Sequence, residues 1–143
     1  MKARPRLGGL FVLAGLLLVV VGVWFLPNSD AKVLDWMPQI QIAAAENQID
    51  SNLLAGVVYA ESRGKADSLS SVGALGLCQL MPPTAAELAG QMKIPGPPYA
   101  PEDNLRMGAR YISKMLKRHN GDVDLALLSY RLGPARVDRQ MKA

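Results

Sequence analysis

The chain is poor in the residues that most often carry chemistry. It has one cysteine, Cys78, so an internal disulfide framework is excluded and any exported part must hold together by its apolar core. It has one histidine, His119, and with one Cys there is no His/Cys cluster at metal-ligand spacing. No internal repeat, low-complexity tract or run reading clearly as a strand stands out, so the expected class is mainly α. Only one stretch, Leu7 to Leu26, is a long apolar run. Cys78 lies far from it, so nothing suggests a lipid-modified cysteine there.

That run carries no charge and is long enough to cross a hydrocarbon core as a helix. Lys2, Arg4 and Arg6 precede it and no acid does, which orients residues 1–6 to the cytoplasm and exports the rest. An uncleaved anchor over 7–26 is the favoured reading. The alternative is a cleaved signal segment, for which Ser29-Asp30-Ala31 offers a weak cleavage site. Three of the 16 basic residues lie before the run, leaving 13 against 12 acids in the exported part. The basic character therefore reports topology, and no nucleic-acid partner is expected. Residues 27–50 read as a linker and first helix, and 51–143 as the principal domain.

Helical periods and caps divide the exported part. A partly apolar face runs from Ala31 to about Gln48. Asp50 or Ser51 can cap a helix reaching about Ser62. Arg63 to Leu75 reads as a loop, and Pro83 suits the start of a helix from Thr84 to Gln91. Pro95, Pro97, Pro98 and Pro101 impose an irregular loop. Pro101 then opens a long helix to about His119, with Leu105, Gly108, Ala109, Ile112, Met115 and Leu116 as its buried stripe. Asp122 can cap a helix to about Leu132, and Gly133-Pro134 leads into a last turn.

One position stands out. Leu54, Val57, Val58 and Glu61 share a helix face, so Glu61 points where a core residue would. It also lies near the helix C-terminus, where the macrodipole disfavours negative charge. Burial and dipole both push a carboxyl pKa upward, and a carboxylic acid protonated near neutrality is what glycosidic cleavage needs. Taken alone, the position fits an exposed last-turn glutamate of a surface helix better than a catalytic one.

The residues that follow sharpen the reading. Glu61-Ser62 is followed at fixed spacing by Ser70, then Gly73-Ala74-Leu75-Gly76-Leu77-Cys78-Gln79-Leu80-Met81-Pro82 and Thr84-Ala85. Downstream come Asn104, Gly108 and Tyr111, then Ser129-Tyr130-Arg131-Leu132-Gly133-Pro134-Ala135-Arg136-Val137. From Leu53 to Val137 this resembles the soluble lytic transglycosylase (SLT) catalytic domain, which has a goose-lysozyme-like fold and cleaves peptidoglycan between N-acetylmuramic acid and N-acetylglucosamine.

The resemblance implies that Glu61 is the single acid/base and that Ser70, Gln79 and Met81 line the sugar groove. It implies that the Tyr130 hydroxyl approaches Glu61. It implies no metal and no cofactor. The expected partners are peptidoglycan strands and, through the N-terminal helix, the inner membrane, with the domain in the periplasm. A role in an envelope-spanning assembly is a further expectation.

The alternatives are a catalytically weak wall-binding module and a hydrolysing muramidase. The chain departs from the family pattern at Cys78 (usually Met), Arg131 (Asn), Leu132 (Ala), Ala135 (Gly) and Gly64-Lys65-Ala66 (aromatic-Asn-Pro). A Cys78–His119 thiol site is set aside, because Cys78 belongs to the groove motif and His119 reads as a solvated helix end.

Overall fold

The computed structural model describes residues 29–142, and the expected anchor over 7–26 lies outside them. Among the described residues no helix is long and apolar enough to cross a membrane. Seven helices follow one another among the described residues: α1 (Ser29–Leu34), α2 (Met37–Glu46), α3 (Ser51–Ser62), α4 (Pro82–Met92), α5 (Pro101–Arg118), α6 (Val123–Leu132) and α7 (Pro134–Met141). No strand forms among these residues. Only isolated bridges join Leu69 to Leu75 and Leu75 to Leu80.

The helix centre of the fold is α5. It starts at a proline, where the missing N–H removes a donor that has no intrahelical partner anyway. Glu102 and Asp103 sit in its first turn and Lys117 and Arg118 in its last, the arrangement the helix dipole favours. Helices α2, α3, α4 and α6 pack around it. Leu105, Met107, Ala109 and Ile112 are fully buried. Each large aliphatic or thioether side chain so buried stabilises by about 1.5–3 kcal/mol, and truncating Leu105 to Ala would cost about 2–5 kcal/mol.

The first helical stretch differs from expectation. The sequence predicts one helix over 31–48, whereas α1 ends at Leu34 and α2 begins at Met37. Pro38 lies in the first turn of α2, and a proline ring is accommodated there but would clash inside a continuous helix. The segment is also more than a linker: Ile40, Ala43 and Ala44 of α2 are buried in the main core. At the other end, the expected last turn is the eight-residue helix α7, with Val137 buried.

Candidate active site

Glu61 is held by both ends of α3. At the start, the Asp50 side chain accepts a hydrogen bond from the Asn52 amide at 2.6 Å. Along the helix Leu54, Val57 and Val58 are buried, and Glu61 continues their face at its edge. At the finish, the Ser62 hydroxyl donates to the Val58 carbonyl at 3.1 Å and accepts from the Gly64 amide at 3.2 Å. The chain turns out through Arg63 at φ 55° and Gly64 at φ 75°. Gly64 is obligatory: a Cβ there would meet the Lys32 carbonyl carbon at 2.7 Å. The Trp36 indole N–H donates to the Gly64 carbonyl at 3.2 Å, so the α1–α2 junction locks the turn after Glu61.

The glycine-rich strip forms the facing wall. Leu75 and Leu80 exchange backbone hydrogen bonds of 3.0 and 3.1 Å, folding 75–80 into a tight loop. Asn104, on α5, reaches into it from behind. Its Oδ1 accepts from the Cys78 amide at 2.8 Å and its Nδ2 donates to the Leu75 carbonyl at 3.1 Å. Gly76, at φ 75°, leaves room for that amide, since a Cβ would sit 2.7 Å from it. Gly108, one turn along α5, makes room for Cys78, whose Sγ a Cβ there would run into. Asn104, Gly108 and Tyr111 share one helix face, and the first two seat this strip.

Gln79 sits at φ 46° and donates twice through Nε2, to the Ser68 carbonyl at 3.0 Å and the Gly76 carbonyl at 2.9 Å. Its amide hydrogens therefore brace the loop, and Oε1 is the part free to meet a ligand. Ser70 closes the neighbouring turn, its Oγ accepting from the Ala74 amide at 2.9 Å. The Tyr130 hydroxyl donates to the Cys78 carbonyl at 2.7 Å, tying α6 to the strip. The sequence expectation was an approach of that hydroxyl to Glu61. In the structure that hydroxyl donates its hydrogen bond to the Cys78 carbonyl, and Tyr130 lines the same two hollows as Glu61. Tyr111 packs on Tyr130 with ring centroids 5.1 Å apart.

Between these walls lies a cavity of about 450 Å³ whose lining includes Glu61, Ser70, Gln79, Met81, Tyr111, Tyr130 and Arg131. All five sequence-nominated residues thus meet in one hollow. A second hollow of about 340 Å³ lies between α3 and α6, lined by Leu53, Gly56, Val57, Leu127 and others. Glu61, Tyr130 and Arg131 border both hollows, so the carboxyl stands at the waist of a longer groove. The exposed apolar groups Val72, Met81 and Leu132 form part of the first hollow's lining.

The electrostatics of the waist are simple. Glu61 and Arg131 are the one carboxylate and the one cation among the residues lining either hollow. The Glu61 side chain is 21% exposed, and burial raises its pKa above the ordinary carboxyl value, while Arg131 opposes that rise. The Arg131 Nε stands 3.9 Å from Glu61 Oε1, with its side chain 75% exposed, which makes it a loose pair in high dielectric.

Cys78 is inert by contrast. It is fully buried, and burial pushes its thiol up to about 12. His119 corrects the expectation of a solvated helix end. It is buried, with Nε2 2.7 Å from the Ser129 hydroxyl on α6. Among the described residues no group of three or more His, Cys, Asp or Glu side chains is placed to hold a metal ion. Sequence reasoning assigned no site role to Val72, Thr84 or Tyr111. Thr84 and Tyr111 stand in the quoted motifs, whereas an exposed loop valine such as Val72 carries no local signal.

The comparisons agree with this geometry. A transglycosylase of Enterobacteria phage PRD1 is 42% identical over 100 residues, covering 70% of this chain and 36% of that protein. An endo-type membrane-bound lytic murein transglycosylase A of Klebsiella pneumoniae is 34% identical over 88 residues, covering 57% of this chain and 43% of its own. The chain thus spans less than half the length of these curated relatives. Among solved structures, an inactive Glu-to-Gln mutant of the lytic transglycosylase Slt from Pseudomonas aeruginosa superposes with a TM-score of 0.66 at 33% identity, over 71% of this chain and 17% of that one. The 70-kDa soluble lytic transglycosylase of Escherichia coli gives a TM-score of 0.64 at 26% identity, over the same 71% and 17%. The family model for the transglycosylase SLT domain matches residues 38–143, and the chain belongs to that family.

Proposed function

We propose that this chain is a peptidoglycan lytic transglycosylase with Glu61 as its sole acid/base. The observation that carries the reading is the isolation of one half-buried, upshifted carboxyl at the waist of a groove with no second carboxylate in its lining. A two-carboxylate glycosidase needs a partner acid about 5–9.5 Å away. A substrate that supplies its own nucleophile does not.

The chemistry follows from that asymmetry. Protonated Glu61 gives its proton to the oxygen linking muramic acid C1 to the next glucosamine, and the C1–O bond breaks. The resulting carboxylate takes the proton of the muramic acid 6-hydroxyl, whose oxygen bonds to C1. Glucosamine leaves with a free 4-hydroxyl, muramic acid becomes its 1,6-anhydro form, and Glu61 ends protonated. No water is consumed, and intramolecular attack spares the entropy of recruiting a nucleophile. Ser70, Gln79 Oε1, Met81 and Tyr130 are proposed to hold the sugars.

The test is digestion of purified sacculi with mass spectrometry of the products. Ends lighter by one water, reduced about 10²–10⁴-fold by Glu61→Gln, are the expected result. Reducing ends would establish a muramidase instead. The Arg131–Glu61 pair favours one other reading, since a cation beside the acid tends to keep it ionised. Retained sacculus binding without products would establish that wall-binding module.

The membrane placement is proposed on separate grounds. Leu7–Leu26 with its preceding basic residues supports an inner-membrane anchor and a periplasmic domain. The printed name of the Klebsiella relative, membrane-bound, points the same way. Alkaline extraction of membranes that leaves the chain in the pellet is the expected result, and release into the supernatant would remove the anchor.

A further inference from the structure

Arg131 is the one cation lining the groove, and the fold does not use it up. Its guanidinium offers five N–H donors, yet its recorded partner is Glu61 at 3.9 Å, and the side chain is 75% exposed. It borders both hollows beside the carboxyl, where the scissile bond must sit under the proposed function. The acid step needs Glu61 protonated. In that state Arg131 loses its carboxylate counter-ion, and the lining holds no other. A planar guanidinium left alone in a ligand groove is matched by a carboxylate, which it binds in a two-pronged fashion.

The glycan offers such a group next to the reacting atoms. Muramic acid carries a lactyl ether on C3 of the ring whose C1 is attacked. On a strand stripped of its stem peptide that lactyl group ends in a free carboxylate. On an intact strand it is an amide and carries no charge. We propose that Arg131 binds this lactyl carboxylate and so selects muramic acid residues that have lost their stem peptides.

The inference rests on the proposed function for the identity of the sugar, and it has an electrostatic corollary. Arg131 lowers the Glu61 pKa. A substrate carboxylate seated on the guanidinium neutralises that influence and leaves burial as the dominant effect. The correct substrate thereby helps protonate the acid that will cleave it. A neutral, peptide-bearing residue brings no such help. The carboxylates of a stem peptide are separated from the ring by several further bonds and are less well placed for a guanidinium at the waist.

The deciding experiment measures binding in the full chain carrying Glu61→Gln, which needs no turnover. The ligands are amidase-stripped glycan oligomers, the same oligomers with lactyl carboxylates capped as neutral methylamides, and peptide-bearing oligomers. The expected result is about tenfold tighter binding of the stripped oligomers than of either other ligand. Arg131→Gln in the same background should abolish that preference, and Arg131→Lys should restore part of it. Equal binding of free and capped oligomers overturns the proposal, as does a preference that survives Arg131→Gln. Tightest binding of the peptide-bearing oligomers, lost on Arg131→Gln, overturns it too, by moving the carboxylate to the stem peptide. Cleavage by the wild-type chain is scored separately. A preserved binding preference without anhydro products would sink the catalytic reading and leave Arg131 selectivity standing.

Discussion

The two walls beside Glu61 are built on opposite principles. The glycine-rich wall is seated from behind by Asn104 and Gly108, braced within by Gln79 and tied to α6 by the Tyr130 hydroxyl, through hydrogen bonds and close contacts that join residues from 11 to 52 positions apart in sequence. The opposite wall, the end of α6 at Arg131 and Leu132, is exposed, and its cation is held by one loose pair. A change in the first wall moves the site or unfolds it. A change in the second alters what the groove accepts. That division explains how Arg131 and Leu132 depart from the family pattern while the fold persists.

The comparison breaks first at Asn104. Asn104→Ala leaves the buried Cys78 N–H without its partner and removes one of the two hydrogen bonds to the Leu75 C=O, and should cost about 2–4 kcal/mol in urea unfolding. Loss below about 1 kcal/mol would mean that the strip is held elsewhere. Gly108→Ala should cost about 1–3 kcal/mol by overpacking, because its Cβ meets the Cys78 Sγ. Adding Cys78→Ala should recover part of that loss, a non-additivity that a double-mutant cycle reads directly. Strict additivity would refute the contact as the cause.

Smaller effects concern the carboxyl itself. Burial raises the Glu61 pKa in the folded chain, so between the unfolded and folded values the native state binds more protons. Stability therefore falls as pH rises through that window, and the penalty is fully present only above the folded value. Glu61→Gln should raise Tm slightly at neutral pH, and that gain should vanish in melts run below the unfolded pKa. A Tm that drops at neutral pH would show that the Arg131 pair outweighs desolvation. Arg131→Gln should change stability by less than about 0.5 kcal/mol. The proposed cleavage needs the protonated acid, so that activity is expected to fall as pH rises through the Glu61 pKa. Removing Arg131 lets that pKa climb, and the alkaline limb of the pH–rate profile should move to higher pH. An unmoved limb would disconnect Arg131 from the acid.

Legibility in the sequence follows the range of the interaction. The start of α3 at Asp50, the start of α5 at Pro101 and the start of α6 at Asp122 are written in caps and prolines a few residues long. The position of Glu61 on its helix face is equally local. Pro38 was a local signal too, and it divides a stretch whose apolar spacing alone suggests one helix. The role of Asn104 was out of reach of periodicity, since it bonds residues 26 and 29 positions away. His119 is buried because α6 folds back to bring Ser129 to its ring, a tertiary fact absent from the helix end that the sequence displays. The family resemblance gathered the groove residues, but the hydrogen bond of the Tyr130 hydroxyl had to come from the structure.

Cys78 carries a consequence of a different kind. Its thiol lies beneath Gly108 with no exposed surface and with its pKa pushed up to about 12, so almost no thiolate is present in the native state. It is poorly suited to pairing with another chain under oxidising conditions. An alkylating reagent gains ready access only when the strip opens, so the labelling rate of this one sulfur becomes a clock for opening of the groove wall. A cysteine introduced on the surface would stand alone as a handle for a spectroscopic probe, with no need to remove the native one.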